Sequence, residues 1–79
     1  MRYYLLVIYN CVTPVTFGPY KTERDRELEA IALVKDNRIQ LKEDCIFRLD
    51  IGKEHADVGM LPEYLFEETS HERKRSEVL

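Results

Sequence analysis

Residues 18–22 read GPYKT and place a lysine and a threonine after a glycine, the residue types with which phosphate-binding loops hold nucleotides. That chemistry needs a second glycine directly before the lysine, and Tyr20 stands there. Pro19 removes one of the backbone N–H donors that would surround a phosphate. Glu23 and Asp25 follow in the first turn of a predicted helix and would repel an anion. The run therefore predicts a hinge into that helix and no nucleotide site.

Four side chains have the chemistry to ligate a metal, namely Cys11, Cys45, His55 and His71. No two of them have the C-x-x-C or H-x-x-x-H spacing of zinc sites, so no metal is expected. Isolated cysteines are mostly small buried hydrophobic residues. A disulfide is not expected either, because parallel pairing of the strands that carry the two cysteines would put them at opposite ends of the sheet. Disulfide-linked residues have α-carbons within about 7 Å of one another.

A nucleophile and its base are the next chemistry to consider, and Cys45 with His55 is the candidate pair. Such a pair needs hydrogen-bond contact and a third group that orients the base. His55 lies in a polar stretch between Glu54 and Asp57, which is typical of a solvated turn. The carboxylates there include no pair in apolar surroundings that would raise a carboxyl pKa for catalysis. We therefore expect a protein that is not an enzyme and that uses no cofactor.

The charge of the chain argues against nucleic acid and membrane partners. The formal net charge is −3, with 12 basic and 15 acidic residues interleaved along 79 positions, and this balance gives no attraction to phosphate backbones or anionic lipids. Three adjacent bases at 73–75 are flanked by Glu72 and Glu77, which is typical of a solvated tail. The apolar run 3–9 is shorter than the roughly 20 residues that span a bilayer. We expect a cytoplasmic protein.

The first half of the chain predicts a strand and a helix. Residues 2–12 are almost continuously apolar, which predicts a strand covered on both faces. Residues 13–21 contain two prolines and predict a connection, with a short extended segment folding back on the first strand as the alternative. Residues 22–37 predict a helix, with Thr22 as N-cap and Asp25 completing a capping box. The expected core-facing stripe is Leu28, Ile31 and Ala32, with Val34 at its flank and with Ala30 and Leu33 pointing elsewhere.

The second half predicts two more strands. Residues 45–51 alternate, with Cys45, Phe47, Leu49 and Ile51 expected on a buried face against Ile46, Arg48 and Asp50 on a mostly solvated one. Residues 56–60 repeat the alternation after a four-residue hairpin loop. Residues 61–68 fit either a short helix or an extended edge segment, and residues 69–79 predict a polar, frayed tail.

This order predicts an α+β fold of two layers, βαββ, in which one helix packs on a three-stranded mixed sheet. A right-handed crossover would set the first strand parallel to the second. We expect one compact domain over residues 1–68. A single helix covers one face of a sheet, so the other face lacks cover. That mismatch is the most informative feature of the sequence.

Uncovered apolar surface predicts a small non-catalytic protein-interaction module, an adaptor or regulator, whose partner is another protein or a second copy in a homodimer. Tyr20, Tyr64 and Phe66 are the candidate partner contacts, because aromatic residues are enriched at interfaces. Two alternatives stay open. One is an inhibitor of a host protein, of the kind that phages and mobile elements encode. The other is a small enzyme or ligand-binding protein with its site at a dimer interface.

Overall fold

The structure of the chain is a computed structural model that describes residues 1–66. The predicted tail 69–79, and the last two residues of the predicted domain, lie outside the described residues. The described part forms one four-stranded antiparallel sheet of order β2-β1-β3-β4, with one helix. In chain order, its elements are β1 (Arg2–Tyr9), β2 (Thr13–Tyr20), α1 (Glu23–Lys35), β3 (Cys45–Ile51), β4 (Ala56–Gly59) and a 3-10 helix (Glu63–Phe66).

The predicted α+β class is therefore confirmed, and the predicted three-stranded mixed sheet is wrong. The expected connection 13–21 is mostly the strand β2, so the alternative of a segment folding back on β1 is the correct one. Asn10 and Cys11 have φ values of 54° and 59° in the turn between the two strands, the left-handed conformation of tight hairpins. Because this hairpin returns the chain to the start of β1, helix α1 carries it back to the far end. Strand β3 then runs antiparallel to β1.

Edge strand β2 tolerates residues that a central strand would not. Its two prolines, Pro14 and Pro19, lack an N–H donor, which is acceptable at the rim of a sheet. Gly18 has a φ of +123°, and a Cβ there would lie 3.0 Å from the carbonyl oxygen of Tyr3. The register with β1 shifts at this point, between Tyr3 and Leu5. The supposed phosphate-binding run is therefore largely the end of a strand.

Helix α1 begins as the sequence predicts, since the Thr22 side chain accepts a hydrogen bond of 3.0 Å from the backbone N–H of Asp25. Its inward face differs from the prediction. The expected core residue Leu28 is 48% exposed, and Ala32 is exposed as well. The buried positions are spaced four, seven and eight residues from the first, as one helical face requires, and they are Arg26, Ala30, Leu33 and Val34.

The core lies between α1 and one face of the sheet. Leu5 and Val7 of β1 are fully buried there, and Ile46 packs against this core opposite Val7. Directly paired residues share a face, so Arg48 and Asp50 lie on the helix side with Ile46. The predicted assignment of the two faces of β3 is therefore wrong. The remaining core residues are Ala30, Leu33, Val34, Ile39, Leu61 and Leu65.

Candidate functional site

An apolar surface covers the side of the sheet that faces away from α1, and we call it the outer face. Among the described residues, no helix lies across it. Its position follows from the register, because Leu6 pairs with Phe47 and Leu49 pairs with Val58. Val58 is 53% exposed, whereas the more central members are half-buried by their sheet neighbours. The apolar residues of the outer face are Tyr4, Leu6, Ile8, Phe47, Leu49, Ile51 and Val58.

A row of connected ion pairs lies on the other face of the sheet, beneath α1. Arg26, whose side chain is 3% exposed, forms an ion pair with Asp50 through Nη1 and Oδ1. Arg48 Nη1 donates to Asp50 Oδ2 at 2.9 Å and to Asp57 Oδ2 at 2.8 Å. The hydrogen bond that Arg48 donates to Asp57 is the main reason that the pKa of Arg48 is raised. The Arg26 guanidinium also stands over the Tyr3 ring, 5.4 Å from its centroid. These contacts hold α1 in position over β3.

The three predicted partner contacts differ in their burial and surroundings. Tyr20, at the end of β2, is half-buried and packs against the core, and burial together with the nearby carboxylate of Glu29 raises the pKa of its phenol. Tyr64 is 67% exposed. Phe66 is half-buried, packs against the core and lines a cavity. Tyr20 does not line that cavity.

The cavity has a volume of about 350 Å³ and lies beside the first residues of β3. Strand β4 pairs with β3 only as far as Arg48 and Gly59. The part of β3 before Arg48 therefore has no strand of the described chain beside it on this edge, and this edge borders the cavity. Its lining is mostly apolar, with one carboxylate and one thiol, and consists of Leu41, Asp44, Cys45, Ile46, Phe47, Met60, Leu61, Pro62 and Phe66. Cavities of this size hold small apolar ligands in other proteins.

The two cysteines lie together, contrary to the prediction that placed them at opposite ends of the sheet. The Sγ atoms of Cys11 and Cys45 are 3.3 Å apart, and both residues are free thiols. The antiparallel pairing of β1 with β3 brings Ile8 opposite Cys45, and the turn after β1 carries Cys11 back over it. The turn is fixed by Asp44, whose Oδ1 accepts a hydrogen bond of 2.9 Å from the backbone N–H of Asn10.

The remaining predicted chemistry is dispersed. His55 is exposed in the loop of the β3–β4 hairpin, where the Gly52 N–H donates to its carbonyl oxygen at 2.9 Å, and this hairpin was predicted correctly. His71 lies outside the described residues. Within residues 1–66, no three histidine, cysteine, aspartate or glutamate side chains are placed to hold a metal ion. In the same part of the chain, no helix has the length and apolarity to cross a membrane.

Comparison with known proteins finds no matching family model, no matching curated protein and no matching solved structure.

Proposed function

We propose that the protein is a small, non-catalytic interaction module that associates with a second copy of itself through the outer face. The observation that supports this proposal is the row of paired apolar residues on that face, with Leu6 opposite Phe47 and Leu49 opposite Val58. A domain of this size has a small core, and covering such a surface is a common way to complete it.

The charge of the outer face favours a second copy over a charged partner. Among the strand residues of that face, Arg2 is the single charged one, and it stands at a corner opposite Ile51. The other strand charges, including Arg48, Asp50 and Asp57, lie on the helix side. Interface centres are depleted in charge, and a two-fold axis places the same neutral patch against itself without like-charge contact.

The dimensions of the face set the expected strength of the association. Four strands spaced about 4.8 Å apart, each about 25 Å long at most, give a footprint of about 450 Å². Two such faces together remove about 900 Å² from water, near the lower limit of about 1,000 Å² for specific interfaces. We therefore expect a reversible dimer with a Kd of about 1–100 μM.

The test is light scattering on a size-exclusion column over a dilution series of the full chain. Val58→Lys places a charge on the outer face and is expected to raise the dimer Kd by about tenfold or more, because the charge must be desolvated. Val15→Lys is the matched control. Val15 is also a valine of an edge strand and is 36% exposed, but it shares the helix side with Val7. A wild-type chain that stays monomeric at hundreds of micromolar, or equal effects of the two variants, would contradict the proposal.

The dispersed acid–base groups support the non-catalytic role that we propose. The two free thiols support a cytoplasmic location. His55 is exposed in the loop after β3, at the opposite end of that strand from Cys45, so it is not placed to act as a base for that thiol. Free cysteines are typical of the cytoplasm, which we propose as the compartment.

Binding of a small apolar ligand in the cavity is the second candidate function, and the lining of the 350 Å³ cavity favours it. An apolar fluorescent dye such as anilinonaphthalene sulfonate is a suitable probe. Met60→Glu would charge the cavity wall at a residue that is 73% exposed, and Val12→Glu, at a residue that is 78% exposed and does not line the cavity, is the control. Loss of dye binding in the first variant alone supports the cavity. If Val58→Lys loses dye binding and Met60→Glu keeps it, the dye binds to the outer face and not in the cavity.

A further inference from the structure

A pair of thiols stands at the end of the sheet where the β1–β2 turn meets the start of β3. The Cys11 and Cys45 sulfur atoms are in hydrogen-bond contact at 3.3 Å. Cys11 is exposed, while Cys45 is half-buried beneath it. The Cys11 sulfur is also 3.6 Å from the backbone carbonyl oxygen of Glu43, to which its thiol donates.

The segments that carry the two thiols are held in place by hydrogen bonds that do not involve sulfur. Asp44 accepts from the Asn10 N–H at 2.9 Å and from the Gln40 N–H at 2.8 Å. These bonds join the turn that contains Cys11 to the segment before Cys45. The thiols are therefore set close together by the fold, although they lie 34 residues apart in the chain.

We propose that Cys11 and Cys45 form a redox-active dithiol that reduces low-molecular-mass disulfides by thiol–disulfide exchange and closes an intramolecular disulfide. The proposal does not rest on the dimer proposed above. Cys45 pairs with Ile8 and so lies at one end of the outer face, but the exchange uses the sulfur geometry and needs no second copy.

The reaction proceeds in two exchanges. The exposed Cys11 thiolate attacks one sulfur of the substrate disulfide, which forms a mixed disulfide and releases one thiolate. The Cys45 thiolate then attacks the Cys11 sulfur, which closes the Cys11–Cys45 bond and releases the second thiolate. The two cysteine protons pass to the released thiolates or to water. The cysteines are oxidised by two electrons in total, and the substrate disulfide is reduced to two thiols.

The order of the two attacks follows from exposure and protonation. Cys11 is the thiol that an incoming disulfide meets first. The hydrogen bond with Cys11, followed by burial, raises the pKa of Cys45, so this thiol keeps its proton to a higher pH than an ordinary cysteine does. The closing step depends on the Cys45 thiolate and is expected to accelerate as the pH rises.

The test uses the reduced full-length chain, glutathione disulfide as probe, and acid quench followed by intact-mass measurement. The wild-type chain is expected to end as a monomer that is lighter by two hydrogen atoms and carries no glutathione. Cys45→Ser retains the attacking thiol and should accumulate the mixed disulfide, to a level about tenfold or more above that of the wild type, because its closing step is missing. Cys11→Ser should react about tenfold more slowly than Cys45→Ser, because Cys45 is half-buried and an incoming disulfide reaches it less easily than it reaches the exposed Cys11.

Both serine variants are first compared with the wild type by circular dichroism, and peptide mapping of the oxidised wild type locates the bond. A glutathione adduct that persists on the wild type, or oxidation that yields only disulfide-linked dimers, would overturn the proposal. Equal reaction rates of the two serine variants would overturn the assigned order of attack. Faster loss of the mixed disulfide at higher pH in the wild type, and not in Cys45→Ser, would support the closing step.

Discussion

The ion pair between Arg26 and Asp50 gives the most direct test of how α1 is held on the sheet, and Arg26→Met is the informative change. Breaking a buried ion pair costs about 3–5 kcal/mol. Asp50 keeps its hydrogen bond to Arg48 at 2.9 Å, so only about half of that cost, about 2 kcal/mol, is expected at this site. Loss of the stacking on Tyr3, at 5.4 Å, adds about 1 kcal/mol.

One feature of the wild-type arrangement offsets part of this loss. The Nε atom of Arg26 is buried with no hydrogen-bond partner among the described residues, and methionine removes this unpaired donor, which returns about 1–2 kcal/mol. The net destabilisation is therefore about 1–2 kcal/mol. A 79-residue domain has a free energy of unfolding of about 4–12 kcal/mol. The change should lower the melting temperature by about 5–15 °C.

The assay is urea unfolding followed by circular dichroism, because the chain has no tryptophan. Arg24→Met is the matched control on the same helix. The Arg24 side chain is 71% exposed and lies 3.9 Å from Glu27, so its loss should cost less than about 0.5 kcal/mol. In a double-mutant cycle with Asp50→Asn, the two effects should fall short of additivity by about 1 kcal/mol or more. Equal effects at the two arginines, or strict additivity in the cycle, would refute the reasoning.

Three further predictions concern packing, backbone and ionisation. Leu33→Ala should cost about 3 kcal/mol of unfolding free energy because Leu33 is 2% exposed, whereas Leu28→Ala, at 48% exposure, should cost less than about 1 kcal/mol in the same urea assay. Gly18→Ala should lower stability by about 1–3 kcal/mol, since the residue has a φ of +123°. A thermal melt checks this, and an unchanged melting temperature would contradict it. Burial, and secondarily Glu29, raise the pKa of Tyr20, so the folded state holds the phenol proton more tightly than the unfolded state does. Stability should therefore fall as the pH rises above about 10, and Tyr20→Phe should reduce this fall when unfolding midpoints are compared across pH.

Local signals in the sequence predicted the helix boundaries and the second hairpin, because each depends on residues close together in the chain. Thr22 and Asp25 define the helix start without help from the rest of the fold. Strand β2 was missed as a definite element because its prolines argue against a strand, and only its place at the sheet edge makes them acceptable. Once β2 was left out of the sheet, the pairing of β1 with β3 was predicted parallel. The cysteines were then placed apart for the same reason.

The orientation of α1 and β3 could not be read from hydrophobic periodicity, since both elements turn a charged residue inward. A helix stripe that contains Arg26 is not recognised as a core face, and the alternation of β3 assigns Asp50 to solvent. The charge of Arg26 is acceptable in the interior because Asp50 pairs with it, and Asp50 is paired with both Arg26 and Arg48. Recognising either one requires knowing that the two elements face each other, which is a fact of tertiary structure.

The buried ion pair and the outer face have one physical origin. Residues of β3 alternate between the two sides of the sheet, so placing Asp50 beneath Arg26 necessarily turns Phe47 and Leu49 away from the helix. A β3 shifted by one residue would bury those apolar side chains and leave Arg26 without its carboxylate. The register that pairs these two charges is therefore also the one that leaves an apolar surface uncovered. The association proposed here requires this arrangement, in which the apolar side chains of β3 lie outside the core of their own chain.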